Sequence, residues 1–576
     1  MSLLFIGTKS FRVLLSLIVL FFYSWTSAQV TSPFQASYYR LPLDLPLSLS
    51  GNYGEFRSNH FHTGYDMRIG GVVGAKLFAV ANGFISRISV SPSGYGNALY
   101  IEHPNGTTSV YGHLLDFAPA IQQFVKEQQY EQQSFSVNLL LLPDIFPVKK
   151  GDFVGRAGNS GDSGGPHLHF EIRDTETQSP LNYNAHGLYP VTDNISPTLR
   201  RVQFWGYSVQ GGVPRTELIK SLDVGSSATV IPVSDTFYVA MGAYDRMEGS
   251  NAYLALSTYD IYIDNNKVYT YQKSDLPPST GRYLNSFLQY DQRVKNDHTL
   301  LKTWVEPGNM LPHLVTTTDN GLFTLPDTLV HQMRIVLTDD SGNESVYRYK
   351  IARQSAVQVP SYALEGRVMI WAMDNYYETE GLQIYLSWGA LGKNIDFYVE
   401  RREAPSTPER SFYAPLWRVG SPFEPLLKPM RLAIYAQVPE ELKEKALIVS
   451  IANDGKCTSA GGSWKGGYLE TNSYNLRDYS VTIDTIPPVI TPGFKSTDLR
   501  GAKQMSFKIR DDLSGINAYH GYIDGEWVLF EYDAKTATLY YLFDKNRIGT
   551  GKKRQLELIV TDNCNNISKY NTSFIW

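Results

Sequence analysis

Hydrophobic and polar positions alternate with a period near two along most of this chain, and few stretches sustain a helical period. Side chains of a strand point alternately to its two faces, so the pattern predicts half-buried strands and a mainly β protein. Ala98–His103 and Thr107–His113 flank Pro104-Asn105-Gly106 and read as a hairpin. One helix is expected between Pro119 and Gln133, with Ile121, Phe124 and Val125 on one face and Pro119 near its start. Val148–Asp152 reads as a turn into a further strand.

Beyond about residue 190 the texture becomes uniformly β-rich and repeats itself. Asp245–Tyr253 (DRMEGSNAY) matches Asp511–Tyr519 (DDLSGINAY), and Thr338–Ser345 matches Thr561–Ser568. Asp193-Asn194-Ile195-Ser196-Pro197 matches Asp484-Thr485-Ile486-Pro487-Pro488. Start, middle and end recur in one order, so two homologous β-domains are expected, at 191–355 and 481–576. The first is longer through an insertion near 265–325. Turn spacing suits antiparallel sandwiches, and both copies resemble bacterial immunoglobulin-like modules. Residues 356–480 are expected to form another β-domain, with less to identify its type.

At 576 residues the chain exceeds one core, and a prior of about 150 residues per domain suggests about four units. With 43% hydrophobic and 19% charged residues it reads as folded, and 39 tyrosines favour strands. A formal charge of −4 carries no basic footprint, which argues against a nucleic-acid partner. Lys9 and Arg12 precede an apolar run from Val13 to Trp25 and the small residues Thr26-Ser27-Ala28. This describes a secretory signal over residues 1–28, cleaved after Ala28, because the run falls short of the ~20 residues that span a bilayer. No later segment is expected to span a membrane. The mature protein is therefore expected in the periplasm, at the cell surface or secreted. Cys457 and Cys564 are the two cysteines; in an oxidising compartment pairing is slightly favoured over two independent, partly buried thiols.

Three motifs carry chemistry. They are His62-Thr63-Gly64-Tyr65-Asp66, Tyr111-Gly112-His113 at a strand end, and His167-Leu168-His169 after the loop Gly158–Pro166. Residues two or four apart on a strand share a face, so His62 and Asp66 can aim at one point, as can His167 and His169. Imidazole and carboxylate are good zinc ligands, and a catalytic zinc keeps three of them plus a water. Four histidines exceed that need, and the surplus suits proton transfer and charge stabilisation. His60 shares the strand face of His62, so spacing alone allows it as a ligand too. The glycine-rich loop lacks the Lys-Ser/Thr ending of a phosphate loop and should precede a strand, which excludes a nucleotide site.

Gly54-Glu55-Phe56-Arg57 through His62-x-x-x-Asp66, then Tyr111-Gly112-His113, and finally the run from Gly158 to His167-Leu168-His169-Phe170-Glu171-Ile172 resemble the M23 (lysostaphin/LytM-type) zinc endopeptidases. The likeness covers roughly residues 50–185. It implies a LytM-like antiparallel β-sheet peptidase domain at 29–190, followed by the β-sandwich domains. It implies one catalytic Zn2+ held by His62, Asp66 and His169, with His113 and His167 as catalytic histidines. Arg57, His60 and Tyr111 are expected in the substrate groove. The expected activity is hydrolysis of peptide cross-links of bacterial peptidoglycan, with D-alanyl–diamino-acid links favoured. Two other classes stand beside it. One is a non-catalytic or autoinhibited wall-binding regulator of other hydrolases. The other is a surface adhesin or scaffold with an auxiliary peptidase, whose C-terminal β-domains meet a cell-surface partner. The stretch 117–146 is open to three roles: scaffold, groove wall or lid.

Overall fold

The computed structural model describes residues 36–223, 229–404, 410–452 and 454–576; the expected leader at 1–28 lies outside them. Antiparallel sheets dominate. The first is built from β1 (Leu49–Gly51), β2 (Tyr65–Arg68), β3 (Gly83–Val90), β4 (Ala98–Glu102), β5 (Thr107–Gly112), β6 (Val137–Leu140) and β7 (His167–Asp174), with Pro147–Val148 adding to β3. Its order is β1-β2-β7-β5-β4-β3-β6. The expected hairpin is β4–β5, with Leu99 opposite Tyr111 and Glu102 opposite Thr108. A second sheet of three short strands, Lys76–Phe78, Phe153–Ala157 and Leu114–Phe117, packs beside it.

The central strand β7 pairs with β2 on one side and β5 on the other. Its register sets His169 opposite both Asp66 and Gly112. Asp66 and Gly112, on strands either side of β7, are thereby drawn to one point. Alternation sends His169 to the open face and Phe170 to the core, where Phe170 stacks edge-on against Tyr111.

The helix forms as α1 (Pro119–Glu131), with Pro at its first turn and Ile121 and Val125 buried. Its other flank meets the C-terminal β-unit. Lys126 Nζ donates to Asp544 at 2.6 Å, the Arg547 guanidinium lies over the Tyr130 ring, and Tyr130 packs edge-on to Trp527.

One apolar cluster runs without a break from Tyr39 to Ile351, across residue 190. A second takes residues from Met369 to Val481 and a third from Leu499 to Trp576. The internal repeat recurs as topology. In the first copy the strands lie in the order Glu344–Arg353, His331–Thr338, Thr258–Ile263, Asn266–Gln272. In the second they lie in the order Ile567–Ile575, Lys553–Asp562, Ile516–Ile523, Glu526–Val528. The longer first copy carries two short helices, Leu284–Phe287 and Tyr290–Asn296, between its strands. No helix among the described residues is long and apolar enough to cross a membrane.

The cysteines correct the pairing expectation, since both thiols are free. They share one apolar cluster with Leu447, Val449 and Ile451. Cys457 Sγ, however, turns back on its own turn, toward the Gly455 carbonyl at 3.8 Å.

His103, at the end of the hairpin strand, is buried against Tyr38 and Tyr39. Its Nδ1–H donates to the Asn82 carbonyl, and Nε2 accepts from Ser109 Oγ. Burial pushes its pKa down to about 4, against the Asn82 hydrogen bond. The unfolded chain binds a proton there near pH 6.5 that the folded chain refuses. Stability is therefore full above that pH and falls as pH drops toward 4, by at most about 3 kcal/mol. Urea midpoints at pH 7 and pH 4.5 should differ for the wild type, and this difference should shrink in His103→Gln.

Candidate metal centre

His62 does not lie on a strand with Asp66, as spacing suggested. It precedes β2, and the turn Thr63-Gly64 swings it back over Asp66. Gly64 is required there, because a Cβ would stand 2.2 Å from the Phe170 carbonyl oxygen. His62 Nε2 then lies 2.9 Å from Asp66 Oδ1 and 3.0 Å from His169 Nδ1, and His169 Nδ1 lies 2.9 Å from Asp66 Oδ1. All three side chains are buried.

The outer hydrogen bonds settle what the inner atoms offer. His62 Nδ1 faces the Asn52 carbonyl at 2.8 Å and His169 Nε2 faces Glu171 Oε1 at 2.7 Å. Both partners only accept, so those nitrogens carry the protons. His62 Nε2, His169 Nδ1 and Asp66 Oδ1 are left as three lone-pair donors around one point. Such an arrangement is repulsive unless a cation sits among them. Burial opposes a charge on His169, yet hydrogen bonds to Asp66 and Glu171, together with their charges, raise its pKa to about 9; a second proton on Nδ1 therefore competes for the place between His169 and Asp66, and a metal ion binds by displacing it. Burial would raise the Asp66 carboxyl, but the imidazoles of His62, His167 and His169 gathered around it hold it well below the carboxylate range. The three donors lie close to the about 3.3 Å separation that bonds of about 2.0–2.1 Å at tetrahedral angles require. This donor set can form a metal site and suits zinc.

Arg57 Nη2 pairs with Asp66 Oδ2 at 2.8 Å and braces the carboxylate from the groove side. His113 follows β5 with φ 61°, a left-handed turn that aims its ring at the site. Its Nδ1–H donates to the Ser160 carbonyl at 2.8 Å. Burial, with the charges of His169 and His167, pushes its pKa down to about 3, so it is neutral and presents an Nε2 lone pair. His167 Nδ1–H donates to the Gly165 carbonyl at 2.8 Å, and its Nε2 stands 3.4 Å from Asp66 Oδ1. The two rings are 4.9 Å apart, centre to centre.

The triad, His113 and His167 line a groove of about 710 Å3, and Arg57 and His60 stand on its wall. His60 is outside the triad, and burial lowers its pKa. Tyr111 corrects the expectation: alternation turns it into the core, where its hydroxyl donates to the Phe78 carbonyl and accepts from the Val80 amide. Residues 117–146 contribute nothing to the groove. Leu276–Gly281, from beyond the peptidase-like sheet, form part of its wall instead.

Sequence reasoning missed the groups behind the triad. Glu171, fully buried, accepts from His169, Thr63 Oγ1 and Tyr95 OH and pairs with Arg173. Its place two residues after His169 on one strand face was the signal for it. Asn52 had no local signal. Its side chain is clamped from the first β-repeat, donating to the Ala255 carbonyl and Asp340 Oδ2 and accepting from the Ala255 amide. Asp340 in turn pairs with buried Lys273 at 2.7 Å.

Comparison with known proteins agrees with this geometry. Residues 60–130 match the model of peptidase family M23, and residues 366–484 match a Zu5-like domain. The DD-carboxypeptidase/endopeptidase Mpg of Neisseria meningitidis is 32% identical over 112 residues, which is 19% of this chain and 20% of that protein. The chain thus spans about a fifth of the length of the curated relatives it matches. Among solved structures, the catalytic domain of the prophage-encoded M23 protein EnpA from Enterococcus faecalis is 25% identical. That match covers 25% of this chain and 92% of EnpA, with a TM-score of 0.19. The catalytic domain of lysostaphin from Staphylococcus simulans is 23% identical, covering 22% of this chain and 79% of that one, with a TM-score of 0.17.

Because Glu171 fixes the tautomer of His169, Glu171→Gln should weaken Zn2+ binding about ten- to a hundred-fold. Competition with a chromogenic chelator reads this directly; unchanged affinity would remove Glu171 from the centre.

Proposed function

We propose that the chain is an exported zinc endopeptidase that hydrolyses peptide cross-links of bacterial peptidoglycan. The observation that carries this reading is the convergence of His62 Nε2, His169 Nδ1 and Asp66 Oδ1 in a buried triad, with His113 and His167 beside it on one groove. The M23 match and the Neisseria relative support the substrate class.

His62, Asp66 and His169 would hold the zinc, which when bound would polarise the scissile carbonyl and acidify a water. The peptide lies along the groove, between the glycine loop and the Leu276–Gly281 wall. His113 and His167, each tied at Nδ1 to a backbone carbonyl, present Nε2 to the reacting atoms. The pair takes the proton of the attacking water and returns it to the leaving amine. Their backbone ties hold both rings in place before substrate arrives, so little reorganisation is needed in the transition state. Arg57 pairs with Asp66 Oδ2 and orients the carboxylate.

The regulator reading requires a lost or covered site. Every site position is filled and the groove is open beside the triad, so catalysis is the better reading. The immunoglobulin-like character of the two repeats, and a cell-surface partner for them, belong to the same proposal: they carry or anchor the peptidase at the wall.

Purified chain incubated with zinc and peptidoglycan of both bridge types should remove cross-linked dimers, and product masses should name the bond. His169→Ala should lose both zinc and activity. His113→Ala should keep zinc but lose about 10²–10⁴-fold in kcat/KM. Zinc-loaded wild type that leaves the dimers intact would overturn the reading.

A further inference from the structure

The two repeats place their matching motifs in space as well as in sequence. In the first, the aspartates that open its three motifs or follow them closely, Asp193, Asp245 and Asp339, each bring a carboxylate oxygen within 4.8 Å of the other two. In the second, Asp484, Asp511 and Asp562 do the same. The two clusters differ in how their charge is met.

In the second cluster hydrogen bonds close the arrangement. Asp511 Oδ2 accepts from the amides of Leu513 and Gly515 and from Ser514 Oγ. Asp562 accepts from the amides of Cys564 and Asn566 and from Asn566 Nδ2. Asp484 accepts from the amides of Ile486 and Ser514.

In the first cluster Asp339 and Asp193 are similarly supplied, by Ser341 and Asn343. Asp245, the counterpart of Asp511, is not. It is 4% exposed, and its Oδ1 is buried with no hydrogen-bond partner. A buried, unmatched carboxylate oxygen costs more than a lost neutral hydrogen bond. Burial pushes the Asp245 carboxyl up to about 7, against the Arg246 amide and with the charges of Asp339, Asp193 and Asp340 adding. Among the described residues no lysine or arginine pairs with any of the three. Arg246 stacks on Tyr244 and Tyr253, and Lys273 is committed to Asp340.

We propose that Asp193, Asp245 and Asp339 form a structural site for one hard divalent cation, Ca2+ in preference to Mg2+, in the first β-repeat. The donors are all oxygen, from three loops, and their spacing follows the loops. Ca2+ accepts such an irregular set at 2.3–2.6 Å and fills its shell with water, whereas Mg2+ demands a near-ideal octahedron at about 2.0–2.1 Å. The ion ties together the start, middle and end of the repeat. It also lies one residue from Asp340, which holds Asn52 behind His62.

The test is a calorimetric Ca2+ titration of the full chain, saturated with zinc so that the histidine centre is already filled. One Ca2+ should bind, with a Kd on the order of 10⁻⁴–10⁻³ M or tighter. Asp245→Asn should weaken it at least ten-fold, and Ca2+ should raise Tm in the wild type but not in Asp245→Asn. Asp511→Asn should bind as the wild type does. If Asp245→Asn does not fold, Asp193→Asn takes its place with the same expected loss. No binding up to about 10 mM Ca2+, binding that survives both first-repeat variants, or binding lost in Asp511→Asn instead, would each overturn the proposal.

Discussion

The hydrogen bonds on the far sides of two imidazoles govern this structure's chemistry. A histidine offers one lone pair and one proton, and its partner decides which nitrogen has which. Asn52 takes the proton of His62 through a backbone carbonyl, and Glu171 takes that of His169 through a buried carboxylate. Reversing either would turn an N–H into the triad and close it to a metal. Burial alone would raise the Glu171 pKa, but the charges and hydrogen bonds of Arg173 and His169 hold it far below the carboxylate range, and Thr63 and Tyr95 fill the rest of its hydrogen-bonding capacity. The cost of burying that charge is met by a complete network, the condition under which buried ions are tolerated.

The support for His62 extends beyond the sheet that carries it. Asn52 is fastened by Ala255 and Asp340, and Asp340 by Lys273, all from the first β-repeat. Tyr53 OH reaches both the Pro180 and Ser274 carbonyls, and Asn182 Nδ2 reaches the Lys273 carbonyl. Together with the unbroken apolar cluster from Tyr39 to Ile351, these contacts make the repeat part of the centre's framework. The third unit reaches the opposite side of the site. Lys535 Nζ donates to the carbonyls of Asn159 and Ser163 in the glycine loop that precedes His167.

What was legible in the sequence follows from range. The β4–β5 hairpin and α1 were readable because turn chemistry and an apolar stripe act over a few residues. The triad was readable because its motifs are short and resemble a known family's. Strand alternation also contained Glu171 and excluded Tyr111 from the groove. Tyr111 is one residue from Gly112, which faces His169, and so it must face the core with Phe170. Asn52 and Asp340, 288 residues apart in sequence, were invisible because only the tertiary contact relates them. The Leu276–Gly281 wall was hidden for the same reason: an insertion's length is readable, but the surface it covers is not.

The repeats show how one motif can serve two ends. Both copies must draw three distant loops together, and both use aspartate, whose short side chain accepts from amides two to four residues ahead. In the second copy Asp511 takes its three donors from such a turn, and the assembly is complete as it stands. In the first, Arg-Met-Glu-Gly-Ser replaces Asp-Leu-Ser-Gly-Ile after the leading aspartate, and two of its side chains are engaged elsewhere. Met247 Sδ accepts from the Leu49 amide, and Ser250 Oγ donates to the Leu49 carbonyl. The Ser514 position, whose hydroxyl donates to Asp511, is held here by Glu248, which accepts from the Asn194 amide, while Met247 and Ser250 hold β1, the edge strand that leads to Asn52. The unpaired carboxylate oxygen of Asp245 thus lies in the same turn that clamps the strand leading to the candidate metal centre, and the proposed cation would balance the first without releasing the second.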